Sequence, residues 1–373
     1  MKRPILLTAL LVFLSACSPA PAATVRIGYL GPLSGKAAAY GIDTLNGIRM
    51  AVDQVNLAGG IDGKKIELIA EDGHCSGPDA ASAVDKLITI DHVVAIIGGI
   101  CNPETIAAAP LAEAAKIVLL SPLSSDASIT TAGRYIFRMT PSDALKGKAI
   151  GGYIKSAGLK KVAMITENTS FPQILRESVT LHAPEGVEIV FDEVTSADTK
   201  NFRALFQKLQ KVDFDVFIAN GQTDTTIAEM AKQLRAHGMK QQIVGADAAN
   251  SATLGEFAPD AVEGMQVLTL PDLDESIPAA KDFAEAFRRR FETPRQSLYF
   301  AALGFDTAHI MFDGLRGGAP TEANDHLLTM DVYLGLTGKF HFDENGDIVG
   351  APLALKTFES GSLSLPKLLP YPE

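Results

Sequence analysis

Short apolar runs alternate with amphipathic stretches along most of the chain. Val25-Arg26-Ile27-Gly28-Tyr29-Leu30 reads as a strand, followed by the turn-rich Gly31-Pro32-Leu33-Ser34-Gly35. From Tyr40 and Gly41 the apolar positions Leu45, Ile48, Val52 and Val55 recur at helical spacing until Ala58-Gly59-Gly60 stops them. Residues 65–70 form the next strand and 78–90 the next helix. Val93-Val94-Ala95-Ile96-Ile97 then runs into Gly98-Gly99-Ile100-Cys101-Asn102-Pro103-Glu104, where Asn102 suits a helix N-cap and Pro103 the first helical position. A second run, Ile117-Val118-Leu119-Leu120, empties into Ser121-Pro122-Leu123-Ser124-Ser125-Asp126. As neighbouring parallel strands these two would place their turns side by side. Helix starts there leave amide N–H groups free to receive a carboxylate or similar anion.

The alternation begins again after the extended 135–138 and the helix-capping Thr140-Pro141-Ser142-Asp143. A helix to Ala157 is followed by strands at 161–166, 188–192, 215–219 and 242–245, with helices from Pro172, at 202–211 and at 225–237 between them. The expected fold is therefore α/β: two doubly wound, mostly parallel, three-layer domains. What remains adds a strand at 264–270, a polar crossing at 271–278, helices at 279–290 and 297–316, and a segment 338–342 that turns at Glu344-Asn345-Gly346-Asp347 into 351–358. Asp343, Asn345 and Asp347 imitate part of a calcium loop, but the glycine is misplaced for an EF-hand. A turn is the reading, and no metal is expected.

Composition narrows the function. The 373 residues are 47% apolar and 21% charged, as in a globular protein. A net charge of −11 with no long run of lysine or arginine excludes binding to a phosphate backbone, so no nucleic-acid partner is expected. The one cationic triplet, Arg288-Arg289-Arg290, falls near a predicted helix end, where it complements the dipole. At the N-terminus Lys2 and Arg3 precede an apolar stretch, 5–14, too short to remain as a membrane span. Leu14-Ser15-Ala16-Cys17 follows and resembles a bacterial lipobox, which makes Cys17 the lipidated residue and 18–23 a tether; Ala20-Pro21-Ala22 also offers an ordinary cleavage site. Either cut exports the chain. In an oxidising compartment the remaining pair, Cys75 and Cys101, reads as a disulfide. An exported hydrolase is the competing class. Ser124, Asp126 and His92 can be drawn as a triad, but the chain has no Gly-x-Ser-x-Gly elbow and no His-Glu-x-x-His, and no enzyme is expected.

Taken in order, the features resemble the type I periplasmic solute-binding proteins of ABC transporters, in the leucine/isoleucine/valine-binding family. The resemblance covers about 25–358 and rests on Ile27-Gly28-Tyr29-Leu30-Gly31-Pro32-Leu33-Ser34-Gly35, Tyr40-Gly41, Val55-Asn56-Leu57-Ala58-Gly59-Gly60-Ile61-Asp62-Gly63-Lys64-Lys65, the cysteine pair, Ser121-Pro122, Phe137-Arg138, Gly238 and Ala261-Val262-Glu263-Gly264. It implies two lobes joined by a three-segment hinge near Pro141, Pro271 and Gly338. Behind the leader and tether at 1–23, one lobe would hold 24–141 plus 272–337 and the other 142–271 plus 338–373. Ligand would sit in the cleft, closure would follow because contacts from both lobes exist only in the closed form, and a membrane permease would read that form. It further implies a monomer without cofactor, at the extracytoplasmic face and anchored to the membrane by its lipid. A sensor of the same fold is the alternative.

The resemblance also carries over a ligand set. Asn102, standing where relatives have a hydroxyl residue, and the turn Leu123-Ser124-Ser125 would hold the ligand's carboxylate. Asp247 would meet its ammonium from the second lobe, and Tyr40 and Phe171 would frame it. Phe171 lacks the hydroxyl of the usual tyrosine, and Gln222 replaces a further aromatic. Those departures point to a more polar ligand side chain than leucine's, or to a small amide or acid that is not an α-amino acid.

Overall fold

The computed structural model describes residues 24–197 and 199–369. The leader, with Cys17 and the tether, lies outside them. Two sheets carry the architecture. The first is built from β1 (Thr24–Gly31), α1 (Ala38–Leu57), β2 (Lys65–Asp72), α2 (Gly77–Thr89), β3 (Ala95–Gly98), α3 (Asn102–Ala115), β4 (Val118–Ser121) and β5 (Ile136–Arg138). Its strands are all parallel, in the order β2-β1-β3-β4-β5. Strands buried on both faces need continuous apolar runs, and Ala95–Gly98 and Val118–Ser121 are wholly buried.

The second unit follows with α4 (Asp143–Ser156), β6 (Lys161–Glu167), α5 (Ser170–Leu181), β7 (Glu188–Thr195), α6 (Arg203–Leu209), β8 (Val216–Asn220), α7 (Asp224–Ala236), β9 (Gln242–Gly245), α8 (Ala252–Phe257), α9 (Pro259–Val262) and β10 (Gln266–Thr269). Its parallel strands run β7-β6-β8-β9-β10. The strand order of the first sheet is thus repeated. In each sheet the order reverses beside the first strand, and loops leaving carboxyl ends at such a point splay apart and open a crevice.

The chain then returns to the first unit. Helices α10 (Pro278–Phe291) and α11 (Leu298–Gly314) are followed by α12 (Ala323–Thr329), β11 (Tyr333–Gly335), β12 (Gly338–Phe342) and β13 (Ile348–Val349). Only then does β14 (Leu353–Glu359) pair antiparallel with β10. The third crossing therefore lies at 350–352 and not at Gly338 as expected. Phe340, Phe342 and Ile348 share a core with Ile27, Tyr29 and Phe137, and β12 pairs with β11. Arg138, with no exposed side-chain surface, bonds Asp347 and Thr130 at 2.6 Å each, which fastens the turn at 343–347 to the edge of the first sheet. Asn345-Gly346 does make a tight turn, but between β12 and the short β13, a pairing internal to that side. Its acidic groups serve the turn: Asp343 accepts from the Asn345 and Asp347 amides at 2.9 Å.

Cys75 and Cys101 form the expected disulfide, with Cα atoms 5.3 Å apart and a sequence separation of 26. Closing a loop of that size stabilises the fold by about 3 kcal/mol in the chain-entropy picture. The double variant Cys75→Ala/Cys101→Ala should lose about that amount in urea denaturation.

Asp306 on α11 holds the β11–β12 turn. It accepts from the Leu336 amide (2.9 Å), the Thr337 amide (2.8 Å) and the Thr337 hydroxyl (2.7 Å). Burial outweighs these bonds and pushes its carboxyl up to about 6. A carboxyl raised on folding costs stability as pH rises, because the unfolded chain gives up its proton first. The loss develops between the ordinary carboxyl value and about pH 6 and is constant above. Unfolding free energies of the protein and of Asp306→Asn should therefore converge by about 2 kcal/mol, in the variant's favour, between about pH 4.5 and pH 7.5.

Candidate functional site

Loops at the carboxyl ends of both sheets line one cavity of about 500 Å³, within the range of small-molecule sites. The first unit supplies Tyr40 from the first turn of α1, Asn102 after β3, and Leu123 and Ser125 after β4; the second supplies Phe171 after β6, Gln222 after β8 and Asp247 after β9. Seven of the expected contacts thus meet in space. The eighth, Ser124, does not: it is fully buried in the turn, with its Oγ 2.6 Å from Thr105 Oγ1 and donating to the Gly99 carbonyl at 3.2 Å. Ser121 Oγ donates to the same carbonyl at 2.7 Å. Hydroxyls from α3 and from the Ser121–Ser125 turn therefore gather on one backbone oxygen and lock the two turns together. The drawn triad also dissolves, since Asp126 accepts from the amide and hydroxyl of Ser128 and makes no bond to Ser124 or His92.

The open anion cradle expected at these turns is filled by the protein itself. Cys101 is the N-cap of α3 and Asn102 its first residue, so the helix starts one residue earlier than the sequence suggested. Buried Glu104 accepts from the amides of Ile100 and Cys101 with one oxygen and of Cys75 with the other, each at 3.0 Å. Its burial raises the carboxyl's pKa even against those three bonds. Asn102 Oδ1 in turn accepts from the Ser125 amide at 2.8 Å and the Asp126 amide at 3.2 Å. What remains for a ligand on this side is the Asn102 amide nitrogen; Ser125 also lines the cavity, with its hydroxyl turned to Asp143. The start of α1, which bears Tyr40, is pinned by Tyr29, whose hydroxyl donates to the Gly41 carbonyl at 2.7 Å, and the loop before it by Asp72, which accepts from the Leu33 amide. A side chain at Gly41 would meet the Pro32 carbonyl at 2.0 Å, so only glycine permits that approach.

The residue that sequence reasoning missed is Lys146. It lies one turn into α4, 4% exposed, and lines the cavity with its Nζ 2.6 Å from Asp247 Oδ2 and 3.1 Å from Asp143 Oδ1. Burial alone would lower its pKa; Asp247 and then Asp143 outweigh burial and raise it, so the ammonium is permanent. Asp143 is fully buried, and desolvation raises its carboxyl despite Lys146. Phe171 stacks against the same ammonium, 5.7 Å from ring centroid to Nζ. Around this cation two buried oxygens lack a hydrogen-bond partner: Thr140 Oγ1 and Asp247 Oδ1. The wall is rich in acceptors. A lysine three places after an aspartate in a helix reads as an ordinary surface pair, and nothing local marks it as buried.

The arrangement is a cleft between two α/β units with polar groups contributed by both, which is the geometry of a hinged binding protein. The sequence matches the Periplasmic binding protein family over residues 24–358. It is 30% identical over 287 residues to the leucine-specific-binding protein of Salmonella typhimurium, 76% of this chain and 77% of that one. A solved structure of the substrate binding protein LivJ from Streptococcus pneumoniae, in complex with isoleucine, is 29% identical and superposes with a TM-score of 0.79 over 93% of this chain and 99% of that one. A solute binding protein from Rhodopseudomonas palustris in complex with p-hydroxybenzoic acid shares the fold at 17% identity, with a TM-score of 0.80 over 94% and 98%. The chain therefore belongs to the periplasmic binding proteins, the extracytoplasmic solute-binding subunits of ABC importers, and not to an enzyme family.

Lys146→Met would leave buried Asp143 and half-buried Asp247 side by side without their cation. We expect it to cost about 3–5 kcal/mol at pH 7 in chemical denaturation. The cost should shrink on acidification as Asp143, whose carboxyl burial already raises, takes up a proton.

Proposed function

We propose that this chain captures an α-amino acid, tethered to the membrane by a lipid on Cys17 and acting as a monomer. The observation that carries the ligand class is Asp247 Oδ1, a buried carboxylate oxygen without a partner in the cleft wall. Its sister oxygen is spent on Lys146, and a ligand ammonium on Oδ1 completes an alternating row: Asp143, Lys146, Asp247, ammonium. Such a row offsets the net negative charge of the trio, where an anionic group would add to it. The ligand's carboxylate then falls to the Asn102 amide nitrogen across the cleft, beside Ser125. Tyr40 and Phe171 supply ring faces. The leucine-specific relative and the isoleucine-bound neighbour support an amino acid as the ligand class.

Ligand that binds only the folded, closed form raises the melting temperature, so a thermal-shift screen of amino acids, amides and aromatic acids tests this directly. One class of α-amino acid should stabilise the protein, and Asp247→Asn should weaken that ligand roughly tenfold or more by calorimetry. Stabilisation only by acids that lack an ammonium would defeat the reading. Cys17→Ala should move the chain from the membrane fraction to the soluble periplasmic one.

A further inference from the structure

We propose that the ligand is an α-amino acid whose side chain ends in a neutral carboxamide, and not in a branched alkyl group. This rests on the amino-acid reading above and extends it to the far wall of the cleft. Phe300 joins Tyr40 and Phe171 there as an apolar surface, with ring centroids of Tyr40 and Phe300 5.1 Å apart. Interleaved with those rings are Gln222, Asn250, Asp272 and Gln296.

The hydrogen-bond capacity of these four groups is partly committed, and what is left has a definite character. Lys356, only 4% exposed, reaches Asn250 Oδ1 at 3.1 Å and Asp272 Oδ1 at 2.8 Å. An ammonium can only donate, so the carbonyl of Asn250 is taken and its NH2 remains a donor. Asp272 keeps one carboxylate oxygen as an acceptor. Gln222 Oε1 accepts from the Thr169 hydroxyl at 3.0 Å, which leaves its NH2 as well. Gln296 makes no side-chain hydrogen bond among the described residues and offers both a donor and an acceptor.

The wall thus presents amide donors together with a carboxylate oxygen. A ligand carboxamide answers both, its carbonyl accepting and its NH2 donating. A branched alkyl group answers neither, and closure over it would strip water from these groups with no replacement bond. A cationic side chain would stand beside the Lys356 ammonium and face the NH2 donors of Asn250 and Gln222, and an acidic one meets Asp272 as a like charge.

Calorimetry on the whole protein with glutamine, asparagine, leucine, isoleucine, glutamate and lysine tests the proposal. One of the carboxamides should bind at least about tenfold tighter than leucine. Gln222→Leu and Gln296→Leu alter exposed positions, so both variants should fold, and each should reduce the preference for carboxamide over leucine. Tighter binding of leucine or isoleucine than of either carboxamide overturns the proposal and leaves the amino-acid reading intact. A preference unchanged in both variants also overturns it. Binding confined to acids without an ammonium overturns the proposal and the amino-acid reading together.

Discussion

A single buried ammonium organises the cleft. Taking Lys146 out of water is expensive, and only two carboxylates within 3.1 Å make it tolerable. The debt fixes positions. Asp247 cannot leave the wall without stranding a charge, and Asp143 is held at the start of α4. The Asp143 amide also donates to the Ser125 carbonyl at 2.8 Å, so the same residue joins the charged wall of the second unit to the polar turn of the first. The joint sits at the first hinge crossing. Lobe geometry and ligand electrostatics therefore meet in Asp143.

The opposite wall shows the same economy. Helix starts create donors, and this protein uses most of them internally: Glu104 takes three amides, and Asn102 takes the two that open the Ser125 turn. The result is a rigid pair of turns locked on the Gly99 carbonyl, from which a few side-chain groups reach the cavity. This wall of the cavity is therefore made by side chains and not by a bare amide nest.

Repetition explains why residues so far apart in sequence converge. Both sheets have the same parallel order with the reversal beside their first strand, and their carboxyl ends face one cavity. Tyr40 and Phe171 each follow the first strand of their unit, and Asn102 and Gln222 each follow the third. Equivalent loops of two similar units meet across the hinge.

Much of this was legible in the chain. The alternation of apolar runs with helical periodicity specified two parallel α/β units, because strands buried on both faces and helices covering them leave no other pattern. The cysteine pair was legible from export, and the family resemblance named eight residues of which seven line the cavity. Sequence alone did not decide which unit owns 338–349, since the hairpin signal at Asn345-Gly346 is local, whereas Phe340, Phe342 and the Arg138–Asp347 pair are long-range. Nor did it reveal Ser124 as interior or Lys146 as buried. Burial of a polar group depends on partners distant in the chain, as Asp247 is from Lys146, and such pairing exists only once the two units have folded against each other.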